Sequence, residues 1–232
     1  MLRTATLALG LAAVAATPSA AADRSFGVSG FERVRVDGPF RVRLTTGVAP
    51  YARASGPAAA LDRVKIEMHG RTLIVRPSAS GWGGYPGANT GPAEIAIGTH
   101  DLTGVIVNGS GSLEIDRIKG LSFDIVAQGS GSVRVAAAKV DQLKTSLHGS
   151  SSATLSGTAL KVTAIVRGTS TFDSAALQVR DATIGADGPA TVRLSVSETA
   201  KVDAQGTATI SLDGTPACTV RAAGSASVSG CR

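Results

Sequence analysis

The sequence predicts an all-β fold, a parallel β-solenoid (β-helix) wound from coils of 18–20 residues, and three observations predict it. The first is a glycine that recurs seven times, at Gly109, Gly129, Gly149, Gly168, Gly188, Gly206 and Gly224, with spacings of 20, 20, 19, 20, 18 and 18 residues. The second is apolar alternation inside each copy, as in Val105 and Val107 or Leu113 and Ile115, the period of a strand with one buried face. The third is composition: 28 glycines and 3% aromatics, in a chain dominated by Val, Ile, Thr, Ser and Ala, suit a narrow, repetitive interior. Helical solenoids need repeats of about 33–47 residues. Eighteen to twenty residues instead match one turn of two or three short strands at about 3.3 Å per residue.

The columns around the glycine fix the register. Two residues before it stand Val107, Ala127, Leu147, Val166, Ala186, Ala204 and Ala222. Three residues after it there is always a hydroxyl: Ser112, Ser132, Ser152, Thr171, Thr191, Thr209 and Ser227. Four after it there is always an apolar side chain, from Leu113 through Phe172 to Val228. The glycines mark corners, since glycine alone takes positive φ without cost. The small residues two places on (Gly111, Gly131, Ser151, Ser170, Ala190, Ala208, Ala226) predict a crowded inner corner. Stacked coils set Glu114 beside Arg134 and Asp173 beside Arg193, as cross-strand ion pairs. Asp37-Gly38-Pro39-Phe40-Arg41-Val42-Arg43-Leu44 parallels Asp187-Gly188-Pro189-Ala190-Thr191-Val192-Arg193-Leu194, which adds an eighth, diverged copy. About eight or more coils are expected, irregular over 26–100 and regular over 101–230, in one domain spanning 23–232.

The ends carry their own signals. Arg3, an apolar run from Leu7 to Ala16, Pro18 and Ala20-Ala21-Ala22 form a signal peptide over residues 1–22, with cleavage expected before Asp23. No later run approaches the ~20 apolar residues of a membrane helix. Cys218 and Cys231 are the only cysteines, and in an exported chain an even pair reads as a disulfide, here a clamp on the last coil.

The net charge of +6 is uneven: residues 23–76 hold ten Lys/Arg against five Asp/Glu, while residues 77–232 hold twelve of each. A neutral repeat body without aromatic platforms argues against nucleic acid. No Gly-x-Ser-x-Gly elbow occurs. His69, His100 and His148 show no metal-ligand spacing, so no catalytic residue, metal or cofactor is assigned. The column before each glycine (Asn108, Gln128, His148, Arg167, Asp187, Gln205, Ala223) holds no adjacent carboxylates of the kind that glycan-cleaving β-helices need. Binding candidates are Trp82 and Tyr85, on a Gly/Pro-rich insertion over 80–92 where exposed rings can stack on sugars. Arg33, Arg35, Arg41 and Arg43 alternate along two strands and could face an acidic polysaccharide or lipid headgroups. Thr169/Thr171 and Thr207/Thr209 look like ice-binding ranks, but Ser fills most other coils and Pro189 interrupts the file.

Several segments in order resemble the bacterial head GIN domain family of auto-transporter-adhesin-like proteins. They are Phe31-Glu32-Arg33-Val34-Arg35-Val36-Asp37-Gly38, Val42-Arg43-Leu44-Thr45-Thr46-Gly47, Val64-Lys65-Ile66-Glu67-Met68-His69-Gly70, Leu73-Ile74-Val75, Ala93-Glu94-Ile95-Ala96-Ile97 and Leu102-Thr103-Gly104-Val105-Ile106-Val107-Asn108-Gly109-Ser110-Gly111. The resemblance runs from about Phe31 to Val228 and implies a right-handed β-helix with an envelope or adhesion role. It supplies no catalytic residues. An auto-transporter also carries a membrane barrel of strands about 10 residues long, and no such barrel is expected in these residues, whose repeats run up to Gly230-Cys231-Arg232. The expectation is therefore an exported, non-catalytic scaffold, periplasmic or extracellular, that contacts an envelope polysaccharide or a surface protein. A polysaccharide-active lyase or hydrolase and a purely structural, self-assembling envelope protein are the alternatives.

Overall fold

The computed structural model describes residues 22–78 and 93–232, so the expected signal segment up to residue 21 and the candidates Trp82 and Tyr85 lie outside the described residues. The elements in chain order are β1 (Ala22–Phe26), β2 (Arg33–Asp37), β3 (Arg41–Thr46), β4 (Tyr51–Gly56), α1 (Ala58–Leu61), β5 (Val64–His69), β6 (Thr72–Pro77), β7 (Glu94–Thr99) and β8 (Gly104–Gly109). Then come the long wrapped strands β9 (Ser112–Gly129), β10 (Ser132–Gly149), β11 (Ser152–Arg167), β12 (Thr171–Asp187) and β13 (Thr191–Gln205), and the short β14 (Thr209–Asp213), β15 (Ala217–Ala222) and β16 (Ser227–Ser229). From β8 onward every pairing is parallel, each segment lying on its equivalent one repeat away. This is the stacked solenoid that the repeat predicts.

Each winding has three legs, and breaks in the in–out alternation mark its corners. In β10, Val133 and Val135 point inward, then Ala136 and Ala137 both face out. Ala138 and Val140 point inward, then Asp141 and Gln142 both face out. Leu143, Thr145 and Leu147 point inward before the chain reaches Gly149. We call these the post-glycine leg, the third leg and the pre-glycine leg. Only Val196 faces inward on the third leg between Leu194 and Ala200, so the 18-residue windings are short there.

The glycines stand in one file. A Cβ on Gly129 would lie 2.8 Å from the carbonyl oxygen of Gly109, and one on Gly149 would lie 2.8 Å from that of Gly129. The file continues through Gly168, Gly188 and Gly206 to Gly224, and it begins at Gly38, whose Cα lies 3.4 Å from the Cβ position of Gly109. Seven glycines from Gly109 onward bound six complete windings, fewer than the eight or more expected. The winding that starts at Gly38 is not completed, because the chain leaves after β3 and returns only at β8.

That excursion, residues 47–103, builds the N-terminal end. β6 adds a parallel strand beyond β2, and β7 adds one beyond β3. β5 then pairs antiparallel with β6, and β4 and β1 continue antiparallel beyond β7. The reversals finish both stacks with a different edge from the repeat's own. The four-residue turn α1, which follows Pro57, is one departure from a purely β chain and seats Ala60 and Leu61 in the core.

The interior is one cluster from Phe31 to Leu212. Two of its columns taper in opposite directions. At the start of the pre-glycine leg, stacked positions read Phe123, Leu143, Val162, Ala182, Ala200 and Cys218. At the inner corner they read Gly111, Gly131, Ser151, Ser170, Ala190, Ala208 and Ala226. A Cβ on Gly111 would meet the carbonyl oxygens of Gly38 and Phe40 at 2.6 and 2.9 Å. Farther along, Ser151 and Ser170 are buried and hydrogen-bond each other at 3.3 Å. The wall column thus shrinks along the axis while the corner column grows from glycine to alanine.

Cys218 and Cys231 form the expected disulfide, tying the last pre-glycine leg to the tail beyond β16. The Arg232 N–H donates to the Pro216 carbonyl oxygen at 3.2 Å beside it.

Two stability predictions follow from this packing. Gly111→Ala should lower the urea-unfolding free energy by roughly 1–3 kcal/mol, the usual cost of overpacking, whereas Gly185→Ala, with nothing within 4 Å of its Cβ, should not. Replacing both Cys218 and Cys231 by Ser should cost about 2–3 kcal/mol, the loop-closure value for a short loop. Hydrogen exchange should then speed up in β15 and β16 first.

Candidate functional site

The outer surface follows from the register. On the post-glycine side, outward residues of neighbouring strands stand in one file: Ser55, Glu94, Arg41, Ser112, Ser132, Ser152, Thr171, Thr191, Thr209 and Ser227. At about 4.8 Å per strand, this is a straight polar track about 43 Å long. Its N-terminal end deepens into a groove lined by Arg41, Arg43, Ser55, Glu94, Ser112 and Glu114.

Charge is organised in that groove. The Arg43 guanidinium lies between two carboxylates, 3.6 Å from Glu94 and 3.7 Å from Glu114. Arg41, one pleat away, has no ion-pair partner among the described residues. Glu114 does stack beside Arg134 as expected, but its carboxylate goes to Arg43 rather than to that neighbour. The Asp173–Arg193 pair forms at 3.9 Å. Sequence reasoning named Arg41 and Arg43 but missed Glu94 and Ser55, because both arrive on strands of the excursion rather than on a repeat.

The four candidate arginines are not one patch. The Gly38–Pro39 corner sends Arg33 and Arg35 to the pre-glycine side and Arg41 and Arg43 to the post-glycine side. Arg33 sits 3.6 Å from Asp124, and Arg35 is bonded to Asp37 at 2.8 Å. Asp37 also accepts from Asn108 Nδ2 at 2.7 Å, which ties the first two rungs of the column before the glycine. Nearby, Glu67 accepts from Lys65 Nζ at 2.5 Å and Arg76 Nη2 at 2.7 Å. Those hydrogen bonds, Lys65 first and then Arg76, hold its carboxyl below the usual glutamate range. Asp181 is lowered likewise, first by the Thr199 hydroxyl and then by Arg180.

Chemically, the groove offers guanidinium donors, carboxylate acceptors and hydroxyls of both kinds along a straight edge. Glu94 and Glu114 are both more than half exposed and share one cation. Among the described residues, no group of three or more His, Cys, Asp or Glu is placed to hold a metal ion, and no helix is long and apolar enough to cross a membrane. His69 and His100 are exposed, and His148 is half-buried in the column before the glycine.

The family described as "Putative auto-transporter adhesin, head GIN domain" matches residues 30–216. The chain belongs to this family. Its fold recurs in a "putative adhesin" of Bacteroides fragilis, at 16% identity and a TM-score of 0.79, over 91% of this chain and 97% of the other. It recurs in a "putative lipid binding protein" of Parabacteroides distasonis, at 19% identity and a TM-score of 0.69, covering 90% and 95%. A "putative adhesin" of the same organism follows at 14% identity and a TM-score of 0.71, covering 90% and 96%. At these identities the likeness concerns the fold. Among curated proteins, none matches.

The Glu67 environment makes a prediction with a definite sign. Its folded pKa is below its unfolded one, so its contribution to stability is present above the unfolded value and is lost as pH falls through the folded value. A carbon-detected NMR titration should find Glu67 among the most acidic glutamates, and Lys65→Met should move it upward.

Proposed function

We propose that this GIN-domain protein is an exported, non-catalytic binding scaffold of the envelope or cell exterior, and that it holds an extended carbohydrate chain along its post-glycine side. The observation that carries this is the groove at Arg41, Arg43, Glu94 and Glu114 opening onto the hydroxyl file. Sugar hydroxyls are recognised by paired donors and acceptors in fixed positions, and planar guanidinium and carboxylate groups supply both. The rungs repeat about every 4.8 Å along the file, so an extended chain meets equivalent hydroxyls at regular intervals. The unpaired Arg41 favours a glycan carrying carboxylates. Two features support export: the N-terminal segment has the layout of a signal peptide, and a structural disulfide belongs to an oxidising compartment. The family and several of its structural neighbours carry adhesin names, which agrees with a binding role.

The test is a glycan-array screen of the mature protein with the Arg41→Ala/Arg43→Ala variant alongside. Acidic glycans should be retained, and the variant should bind them at least ten-fold more weakly, since hydrogen bonds to charged groups contribute about 1.5–3 kcal/mol each. Trp82→Ala belongs in the same screen, because the segment containing it precedes β7 and Glu94. Retention unaffected by the arginine changes, or glycan cleavage that vanishes in Glu94→Gln/Glu114→Gln, would overturn the reading.

A further inference from the structure

The corner between the third and pre-glycine legs is built differently from the rest of the surface. Leu121 is 78% exposed and Leu160 is 46% exposed. Between them the chain places Asp141 at the same corner, since Val140 pairs with Gly120 and Ala159, and Gln142 pairs with Ser122 and Lys161. The two leucines therefore stand two strands apart, about 10 Å, on one convex edge. Gly120 precedes Leu121 with φ +142°, in the region that residues with side chains rarely adopt, and it occupies the column filled inward by Val140 and Ala159. The backbone there is shaped to carry Leu121 out into solvent.

Lysines surround this edge. Lys119 and Lys139 stack directly on neighbouring strands of the third leg, an arrangement of like charges that is unfavourable by itself. Lys161 and Lys144 lie on the other slope, on the pre-glycine leg. Lys119, Lys139 and Lys144 have no ion-pair partner among the described residues, while Lys161 stands beside Asp181 on the next strand and adds to the pull of Thr199 and Arg180 on that carboxylate. Arg117 and Arg180 are paired with Asp116 and Asp181. Asp141 is the acid on the ridge itself, and Asp124, facing the Lys144 slope, is held by Arg33.

We infer that this ridge docks on an anionic lipid surface, with Leu121 and Leu160 dipping into the headgroup boundary and the four lysines meeting lipid phosphates. The two apolar tips stand on a convex edge, and the shallow concavities beside it are lined by Lys161 and Asp181 and by Lys144 and Asp124 but by neither leucine. The exposed apolar part of the edge is two leucines, where a stable protein interface engages about 800 Å² per partner. A bilayer surface needs neither a concavity nor that area: it receives apolar tips at its boundary while cations pair with its headgroups. Lysine suits the flanks, because its stem lies along apolar surface while its ammonium stays at the polar level. The ridge and the carbohydrate groove use different legs of the winding, so this inference does not rest on the glycan reading.

The experiment is flotation of the mature protein with vesicles of phosphatidylglycerol and phosphatidylcholine at 1:3, and with phosphatidylcholine alone. Binding is expected to the anionic vesicles only, and to weaken in high salt. Leu121→Ser/Leu160→Ser should reduce it about ten-fold or more. Lys119→Gln/Lys139→Gln should reduce it about twenty-five-fold, at roughly five-fold per cation near an anionic surface. Both variants change exposed side chains only, so circular dichroism and glycan binding should stay as in the parent. No flotation, equal flotation with neutral vesicles, or flotation unchanged in both variants would overturn the inference. So would a dimer in solution that Leu121→Ser/Leu160→Ser dissolves, because the leucines would then serve self-association.

Discussion

The whole molecule depends on the distance between one winding's corner and the next. At each rung the Cβ position of the corner glycine falls on the backbone of the glycine beneath, as close as 2.6 Å for Gly168 over Gly149. At Gly129, Gly149, Gly168 and Gly224 a side chain would force neighbouring windings apart, whereas at Gly188 it would meet ordinary contact at 3.5 Å. Each corner glycine also has positive φ, from +74° at Gly206 to +107° at Gly38, so the same residue satisfies the turn and the close approach. With the corners locked, the strands between them fall into register. Val133 lands on Leu113 and Leu147 on Ala127, and the backbone hydrogen bonds of every inner winding are shared upward and downward.

A narrow interior follows, and it limits what can fill it. Three short legs leave room for one to three inward side chains per leg, so aromatic residues are rare, and a large one needs a small neighbour. Phe172 stacks on Ala153, and Phe123 begins a column that shrinks to alanine. Where the third leg shortens, as between Leu194 and Ala200, the winding loses residues without losing the corner, which is why the spacing drifts from 20 to 18 while the file stays straight. Such a core gives each winding too little burial to stand alone, and stability comes from stacking. Ends are the weak places. The N-terminal end is finished by antiparallel strands, and the C-terminal end, where β15 is largely exposed, by the disulfide.

Outside, the same register turns isolated residues into lines. A hydroxyl three places after each glycine becomes a track, and two leucines 39 residues apart in sequence become neighbours on one ridge. Among the described residues, both surfaces are carried by strands. Both are presented on the rigid walls of the winding, a suitable arrangement for engaging something long or flat rather than for enclosing a small molecule.

The sequence by itself determined the winding, its columns and the closing disulfide, because those features repeat: each copy of about twenty residues specifies the same corner and the same buried face, so lining up the copies is equivalent to stacking them. That reasoning extended to Gly38, whose Asp-Gly-Pro context matches Gly188, and to the Asp173–Arg193 pair. It failed where the chain stops repeating. Only the tertiary structure decided that β7 lies beyond β3, bringing Glu94 to Arg43 and drawing Glu114 away from Arg134, since a non-repeated strand has no copy to reveal its partner. It also decided that Arg33 and Arg35 part company with Arg41 and Arg43 at the first corner, and that Gly120 rolls Leu121 outward beside Leu160. Alternation within a strand says which face is buried, but which residues meet across a corner or an insertion depends on how the chain turns between them.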